Sequence, residues 1–354
     1  MNDSEHSGLT ALFDQLGSLL DQAGKVTVIV ANNPDADSLG SALALEEIWS
    51  NMGKEVFLYC RTEIPTYLRF LTGWERFNTD LNGGFELAVM VDNSVSNLLG
   101  AEEDRPAIME RLKLKPFVIL DHHASDTDID FATLRLNRPE MAATGQLILA
   151  AAKHLGWPLN ETAATFLTAS ILSDSLGFTS QVMVGNSEPL RAVADLVDLG
   201  VNLSSLAQRR LKWQELPVKL LAYRGELLQR IRFHGSEQIA VLAIEYEEIK
   251  QTGTLFNPTI VLDEMKAVEN VRLSLGFKKY EDQLGRLFRV TLRIRCYRGC
   301  QVAKNLAETF GGGGHPYAAG AKWEAEGLDF AQIEADVLRT AEELLAEEAG
   351  SEAA

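Results

Sequence analysis

Cysteine is scarce in this chain: Cys60, Cys296 and Cys300 make an odd count of three, too few to staple a fold. Cys296 and Cys300 have the spacing of half a zinc site, but no second ligand pair stands near them, and a reducing cytoplasm is the simplest compartment. Long apolar runs are missing as well, so no segment reaches the ~20 residues that cross a bilayer. The opening MNDSEHSGLT is acidic and polar, the wrong chemistry for a secretory signal. Positive charge is the rarer sign, with 33 Lys and Arg against 50 Asp and Glu and a formal net charge of -17. That balance excludes a broad basic surface gripping long nucleic acid through many phosphates, so any phosphate site has to be local. No internal repeat is present, and low complexity is confined to the acidic tail AEELLAEEAGSEAA.

What is present suffices for two cores: 354 residues, 46% hydrophobic and 23% charged. The stretch Val28–Ala42, VIVANNPDADSLGSA, organises the first. Val26, Val28, Ile29 and Val30 predict a buried parallel strand, and from Ser38 apolar residues recur at helical spacing. Between them, after Asn33-Pro34, stand Asp35 and Asp37, at a strand's carboxyl end, where open α/β sheets place their ligands. Leu9–Gln22 reads as a leading amphipathic helix, Glu55–Cys60, Phe85–Val91 and Lys115–Leu120 as strands, and Ala142–Leu155 and Glu161–Leu172 as helices. This alternation predicts an α/β domain over 1–200, a parallel sheet with helices on both faces. Helical patterns from Pro189 to Arg230 close it and predict a helical connection over 201–230. Gln238–Ile244, Val268–Phe277 and Arg286–Arg295 then read as strands. With helices at Gln301–Phe310 and from Phe330, they predict a smaller α+β domain over 231–350.

Three strands of the first domain run into acids or imidazoles: Asp35 and Asp37, Asp92, and Asp121-His122-His123. Asp174 adds a fourth point at or near a helix end. Taken singly, each has an ordinary use: an Asp in such a turn caps a helix, and a His pair packs or faces solvent. Taken together they point elsewhere. Neighbouring parallel strands share a carboxyl edge at ~4.8 Å spacing, so these side chains can converge. Carboxylates crowded without counter-charge repel one another, and a divalent cation removes that penalty. Mixed Asp and His ligands suit Mn²⁺, with Mg²⁺ or Co²⁺ as alternatives. Two ions ~3.5–4 Å apart polarise a phosphoryl oxygen and activate water for in-line attack.

NPDADSLGS, VDNS, DHH and SDSLGF, in that order and spacing, resemble the four motifs of the DHH phosphoesterase family, and Gly311–Ala321, GGGGHPYAAGA, resembles the signature of the substrate-binding domain that accompanies it. The resemblance covers almost the whole chain. It is nearest to the short oligoribonuclease/pAp phosphatase (nanoRNase) branch of this RecJ-like superfamily, since RecJ-type exonucleases usually carry further domains and the pyrophosphatase branch a different second one. The family pattern implies Asp35, Asp37, Asp92, His122 and Asp174 as metal ligands, with Asp92 bridging two ions. It further implies that Asp37, His122 and Asp174 complete one site, that Asp35 serves the other, that Asp121 orients the His pair, and that His123 faces the substrate phosphate or leaving group. One departure stands out. The motif normally opens H-x-N-P-D-x-D, and the position of that His is Ala31, which cannot coordinate. Asn32 or Asn33 offers only a weak amide oxygen in its place. One tight ion plus a loose one, a single-ion enzyme, and an inactive relative all remain open.

Gly311–Gly314 followed by His315 gives backbone N–H groups room to converge on an anion, although four glycines also make a flexible linker. Arg272, Lys278, Lys279, Arg286, Arg289, Arg293, Arg295, Arg298 and Lys304 crowd one short region of an acidic chain. Arg293 and Arg295 share a strand face by alternation and, with Gly312, Gly313, Gly314 and His315, are the expected phosphate contacts; a guanidinium can hold a terminal phosphate bidentately. By the resemblance Arg293 leads. Tyr297 is placed to stack a base, although a strand-end aromatic is more often core. The expected function is a cytoplasmic, Mn²⁺-dependent phosphoesterase cleaving short oligonucleotides, pAp-like nucleotides or linear dinucleotides in an interdomain cleft, with no membrane partner and a homodimer allowed. The rivals are a RecJ-type single-strand exonuclease and a non-catalytic nucleotide or nucleic-acid binding module, the latter suggested by Ala31 alone.

Overall fold

The computed structural model describes residues 3–81, 84–100, 103–124, 127–213, 218–248, 260–282, 284–297 and 299–352. Arg298, counted above among the basic residues, lies outside them. The chain divides into two compact units, Met1–Glu215 and Leu216–Ala354. That boundary falls between two of the helices that follow the first sheet.

In the first unit, strands β1 (Lys25–Ile29), β2 (Glu55–Tyr59), β3 (Phe77–Asn78), β4 (Leu87–Val91), β5 (Phe117–Asp121) and β6 (Leu134–Asn137) form a parallel sheet in the order β3-β2-β1-β4-β5-β6. β1 shows why: Val26, Val28 and Val30 enter one apolar cluster while Ile29 enters the other, so both faces are covered. The larger cluster lies beneath α1 (Asp3–Asp21), α2 (Ala36–Asn51), α4 (Thr144–Leu155), α5 (Glu161–Asp174) and α6 (Glu188–Asp198). The smaller holds Ile108 and Leu112 of α3 (Arg105–Leu112). Two short edge strands, β3 and β6, escape the sequence pattern because two to four residues are too few to show a period. α7 (Leu203–Trp213) ends the unit.

α2 begins earlier than its apolar spacing suggests. Asp35 is its N-cap: Oδ1 accepts from Ser38 N–H at 2.9 Å, and Ser38 Oγ accepts from Asp35 N–H at 2.9 Å. Asp37 therefore sits in the first helical turn, not in the preceding loop.

The second unit opens with α8 (Val218–Gln229) and builds a mixed sheet from β7 (Arg232–His234), β8 (Ile239–Glu245), β9 (Leu273–Glu281), β10 (Leu287–Cys296), β11 (Gly313–His315) and β12 (Ala318–Glu324), ordered β11-β12-β10-β9-β8-β7. α9 (Ala303–Thr309) and α10 (Phe330–Glu352) accompany it. The strand expected from Val268 starts only at Leu273, because Glu264–Ala267 is a 3₁₀ turn. Alternation along β10 sends Val290, Leu292, Ile294 and Cys296 into the core and Arg289, Thr291, Arg293 and Arg295 to the other face. The glycine run forms half of a hairpin. A Cβ on Gly312 would fall 2.1 Å from Gly320 O, and one on Gly314, at φ +141°, 2.6 Å from Ala318 O, so a tighter strand approach than alanine permits is built in. No described helix is long and apolar enough to cross a membrane.

Candidate functional site

Because β1, β4 and β5 are neighbours, the chain segments leaving their carboxyl ends meet. Asp92 follows β4 directly in the left-handed region at φ +57°, a conformation that costs energy for a non-glycine residue, while its N–H donates to Leu120 O at 2.8 Å. His122 follows β5, and Asp174 is the last residue of α5. One ligand atom each from Asp37, Asp92, His122 and Asp174 lies within 4.8 Å of every other. His122 Nε2 stands 3.4 Å from Asp37 Oδ2, 3.5 Å from Asp92 Oδ1 and 3.2 Å from Asp174 Oδ2. Buried, it has no hydrogen-bond partner among the described residues. The other ring nitrogen, Nδ1, lies 3.3 Å from the Met141 carbonyl, where an N–H donates, so Nε2 is the nitrogen that gives up its proton to present a lone pair. A lone pair turned toward three carboxylates is the donor set of a divalent cation, and the residues present fit one.

Groups not singled out from the sequence hold this cluster in place. Asp37 Oδ1 accepts from Ser41 Oγ at 3.0 Å, Ser170 Oγ at 2.5 Å and Gly145 N–H at 3.2 Å, and its Oδ2 accepts from Thr144 N–H at 2.8 Å. Thr144 Oγ1 donates to Asp92 Oδ1 at 3.2 Å. The start of α4 thus supplies backbone donors at its positive end. Spacing could not have identified them: Thr144 lies 107 residues from Asp37 and Ser170 lies 133 away. The only local signal is a Thr-Gly pair where a helix begins.

Asp121, fully buried, accepts at Oδ1 from His122 N–H at 2.8 Å, His123 N–H at 3.2 Å and His123 Nδ1–H at 2.8 Å. Burial disfavours its charge, yet the bonds from His123 hold its pKa below the usual range and raise that of His123 in return. Within the cluster the balance is reversed. Burial, with the charge of Asp37, holds Asp92 well above the usual carboxylate range. Burial pushes Asp174 up to about 6 against the pull of His122, with Asp37 and Asp35 adding to the rise. Burial opposes a charge on His122, but Asp174 and Asp92 at Nε2 push it up to about 11. A metal ion held here would compete with these protons.

Asp35 stands outside the four-residue group, its Oδ1 engaged in the cap of α2. Ala31 is buried, its carbonyl accepting from Cys60 Sγ at 3.4 Å. Asn32 Oδ1 is buried without a hydrogen-bond partner among the described residues. His123 Nδ1 reaches to 3.7 Å from Asp92 Oδ1.

In the second unit the basic residues sort themselves. Arg272, Lys279, Arg286, Arg289 and Lys304 pair with Glu348, Glu245, Asp282, Glu324 and Glu308. Arg293 and Arg295 remain on the face away from the core with Lys278, and the sheet register surrounds them with small residues. Gly313 opposes Gly320, Gly320 opposes Arg293, and Arg293 opposes Gly276; one pair along, His315 opposes Ala318, which opposes Arg295. Arg293, Arg295 and His315 thus rise from one face with nothing larger than alanine between them. Burial and the Arg293 charge lower the pKa of both Lys278 and Arg295, the mark of cations crowded together. Asp263, 4.0 Å from Arg293, borders the group. Tyr297 is engaged otherwise: its hydroxyl donates to Leu262 O at 2.5 Å and meets Ser274 Oγ at 2.9 Å.

The chain is similar to several known proteins. The chain is 28% identical over 328 residues, 91% of its length and 90% of the relative's, to the bifunctional oligoribonuclease and PAP phosphatase NrnA of Thermus thermophilus. An exopolyphosphatase-related protein from Bacteroides fragilis has the same fold, with a TM-score of 0.81 at 18% identity over 95% of this chain and 98% of that one. RecJ of Thermus thermophilus, solved in complex with Mn²⁺, matches with a TM-score of 0.51 at 17% identity over 94% of this chain and 54% of RecJ. The DHH family's N-terminal domain matches residues 25–171, which contain β1 through β6 and the convergent Asp37, Asp92 and His122. Residues 25–171 thus resemble the DHH family's N-terminal domain, and the likeness to the NrnA relative extends over most of the chain.

Proposed function

We propose that the chain is a metal-dependent phosphoesterase of short nucleotide substrates: pAp-like nucleotides, linear dinucleotides or short oligonucleotides. The observation that carries this reading is the buried Nε2 of His122, without a hydrogen-bond partner and turned toward Asp37, Asp92 and Asp174. These four residues would hold the ion, and Mn²⁺ suits three carboxylates and an imidazole best. Bound there, it would polarise a phosphoryl oxygen and lower the pKa of a water. Asp121 fixes His123 through Nδ1, which leaves Nε2 as the atom that gives a proton to the leaving oxygen. Arg293, Arg295 and His315, with the backbone of Gly312–Gly314, would hold a terminal phosphate. Asp35 and Asp92 alone would bind a second ion loosely, since Ala31 supplies no imidazole. The name of the NrnA relative supports a nucleotide substrate, and the small basic face of an acidic protein favours one carrying few phosphates.

The test is a panel of pAp, a pApA-type dinucleotide, short RNA, cyclic dinucleotides and long single-stranded DNA, incubated with Mn²⁺. Turnover of the first three, abolished in a folded Asp92→Ala protein, is the expected result. Preferential degradation of long DNA would move the chain to the exonucleases. No turnover with Mn²⁺, Mg²⁺ or Co²⁺ would make it a binding module.

A further inference from the structure

Two of the cysteines meet. Cys296 ends β10 and Cys300 lies four residues on, and their Sγ atoms are 3.3 Å apart within the core of the second unit. Cys300 N–H donates to Tyr297 O at 3.1 Å, and Gly299 stands at φ +81°. Metal binding does not account for the pair: among the described residues no third ligand atom joins the two sulfurs. The contact lowers the pKa of the Cys300 thiol and raises that of Cys296, so Cys300 is the sulfur that ionises first.

We propose that Cys296 and Cys300 are a modification site, closing reversibly to a disulfide under hydroperoxide and fastening the end of β10 to the segment that leads into the glycine hairpin. A disulfide needs its sulfurs at about 2.05 Å, so closure takes a side-chain adjustment of roughly an ångström. The Cys300 thiolate attacks one peroxide oxygen, the O–O bond breaks, and the departing hydroxide takes up a proton to leave as water. Cys296 sulfur then attacks the sulfenic sulfur of Cys300, and the sulfenic oxygen leaves as a second water carrying the Cys296 proton. Two thiols and one hydrogen peroxide give one disulfide and two waters.

The consequence lies in what the pair anchors. Cys296 N–H donates to Tyr317 O at 2.9 Å and Ala303 N–H to Pro316 O at 3.0 Å, so both ends of the Cys296–Ala303 segment are bonded to the turn between β11 and β12. That hairpin carries Gly313, Gly314 and His315, and Arg295 is the residue before Cys296. The disulfide would stiffen the phosphate-facing hairpin from beneath. Its formation stands independently of the proposed activity.

Full-length protein treated with hydrogen peroxide and then denatured should show one titratable thiol in place of three, with a loss of two hydrogens in intact mass and full recovery after dithiothreitol. Cys60→Ser should lose the same two thiols. Cys300→Ser should form no intramolecular bond. Amides of the 312–318 hairpin should exchange at least about threefold more slowly in the oxidised protein. Three thiols persisting after peroxide, or their loss only to intermolecular links, would overturn the site. Closure with unchanged hairpin exchange would overturn the coupling.

Discussion

At the scale of single residues, the site is decided by how Asp37 and His122 are held. Asp37 receives four hydrogen bonds, two from side-chain hydroxyls, and Ser170 Oγ is the shortest at 2.5 Å. Ser170→Ala removes an orienting donor from Asp37, a change that typically weakens binding of a metal at such a residue 10–100-fold; titration calorimetry with Mn²⁺ should show a loss in that range, and unchanged affinity would release Ser170 from the role. Restoring the imidazole in Ala31→His should add a second bound Mn²⁺ per chain, counted by calorimetry or electron paramagnetic resonance. The raised pKa values carry a definite sign. Asp174, lifted to about 6, destabilises the fold once pH exceeds its unfolded value and does so fully above about 6. His122, lifted to about 11, stabilises fully below its unfolded value, and that contribution fades as pH climbs toward 11. Both effects lower the stability of chelated protein as pH rises. Because an ion replaces those protons, the gap in Tm between Mn²⁺-loaded and EDTA-treated protein should widen from about pH 5 to about pH 9; a constant gap would contradict the ligand set.

At the scale of elements, α4 and α5 pack as closely as they do because residue 145 is glycine. A Cβ there would come 2.0 Å from Ser170 Oγ, so Gly145→Ala must displace either the hydroxyl that holds Asp37 or the helix itself. Overpacking of this kind costs about 1–3 kcal/mol, to be read from urea unfolding, and Mn²⁺ affinity should fall with it. The helices and long strands were legible because each spans several periods of its own pattern: α2, α4 and α5 at helical spacing, β4 and β5 as apolar runs. The contacts between helices were not legible. Beyond the Thr-Gly pair where α4 begins, nothing local in Thr144 or Ser170 announces that it faces an acid more than a hundred residues away. The glycine run could be read as a linker or as a cradle, and only its pairing with Ala318–Gly320 makes it a strand.

At the scale of the whole molecule, a chain of net charge -17 carries a small basic face in its second unit. Five of its basic neighbours pair with acids, and Arg293, bordered by Asp263, stands with Arg295 and Lys278 on the small-residue floor. Contact with two or three phosphates gives a shallow salt dependence, with log affinity falling against log salt at a slope of about 2. Binding of pAp to catalytically silent Asp92→Ala protein, followed from 50 to 200 mM salt (about fourfold), should obey that slope, and Arg293→Ala should both weaken binding and flatten it. A slope near 6 or more would indicate a long polymer track.

The imidazole missing at Ala31 shows only against the motif of the DHH family, whereas the residues along the chain by themselves established the alternating α/β pattern and the acids and imidazoles that leave its strands. These are properties of neighbouring residues, and hydrophobic period and side-chain type express them without reference to anything distant. Tertiary structure alone decided that β1, β4 and β5 lie side by side, that Asp35 caps a helix while Asp37 joins Asp92, His122 and Asp174, and that Ser170 and the start of α4 hold the cluster. It also chose which cations remain facing outward and brought two sulfurs into contact. Strand order and helix packing are settled by burial summed over the whole chain, and that sum has no local trace.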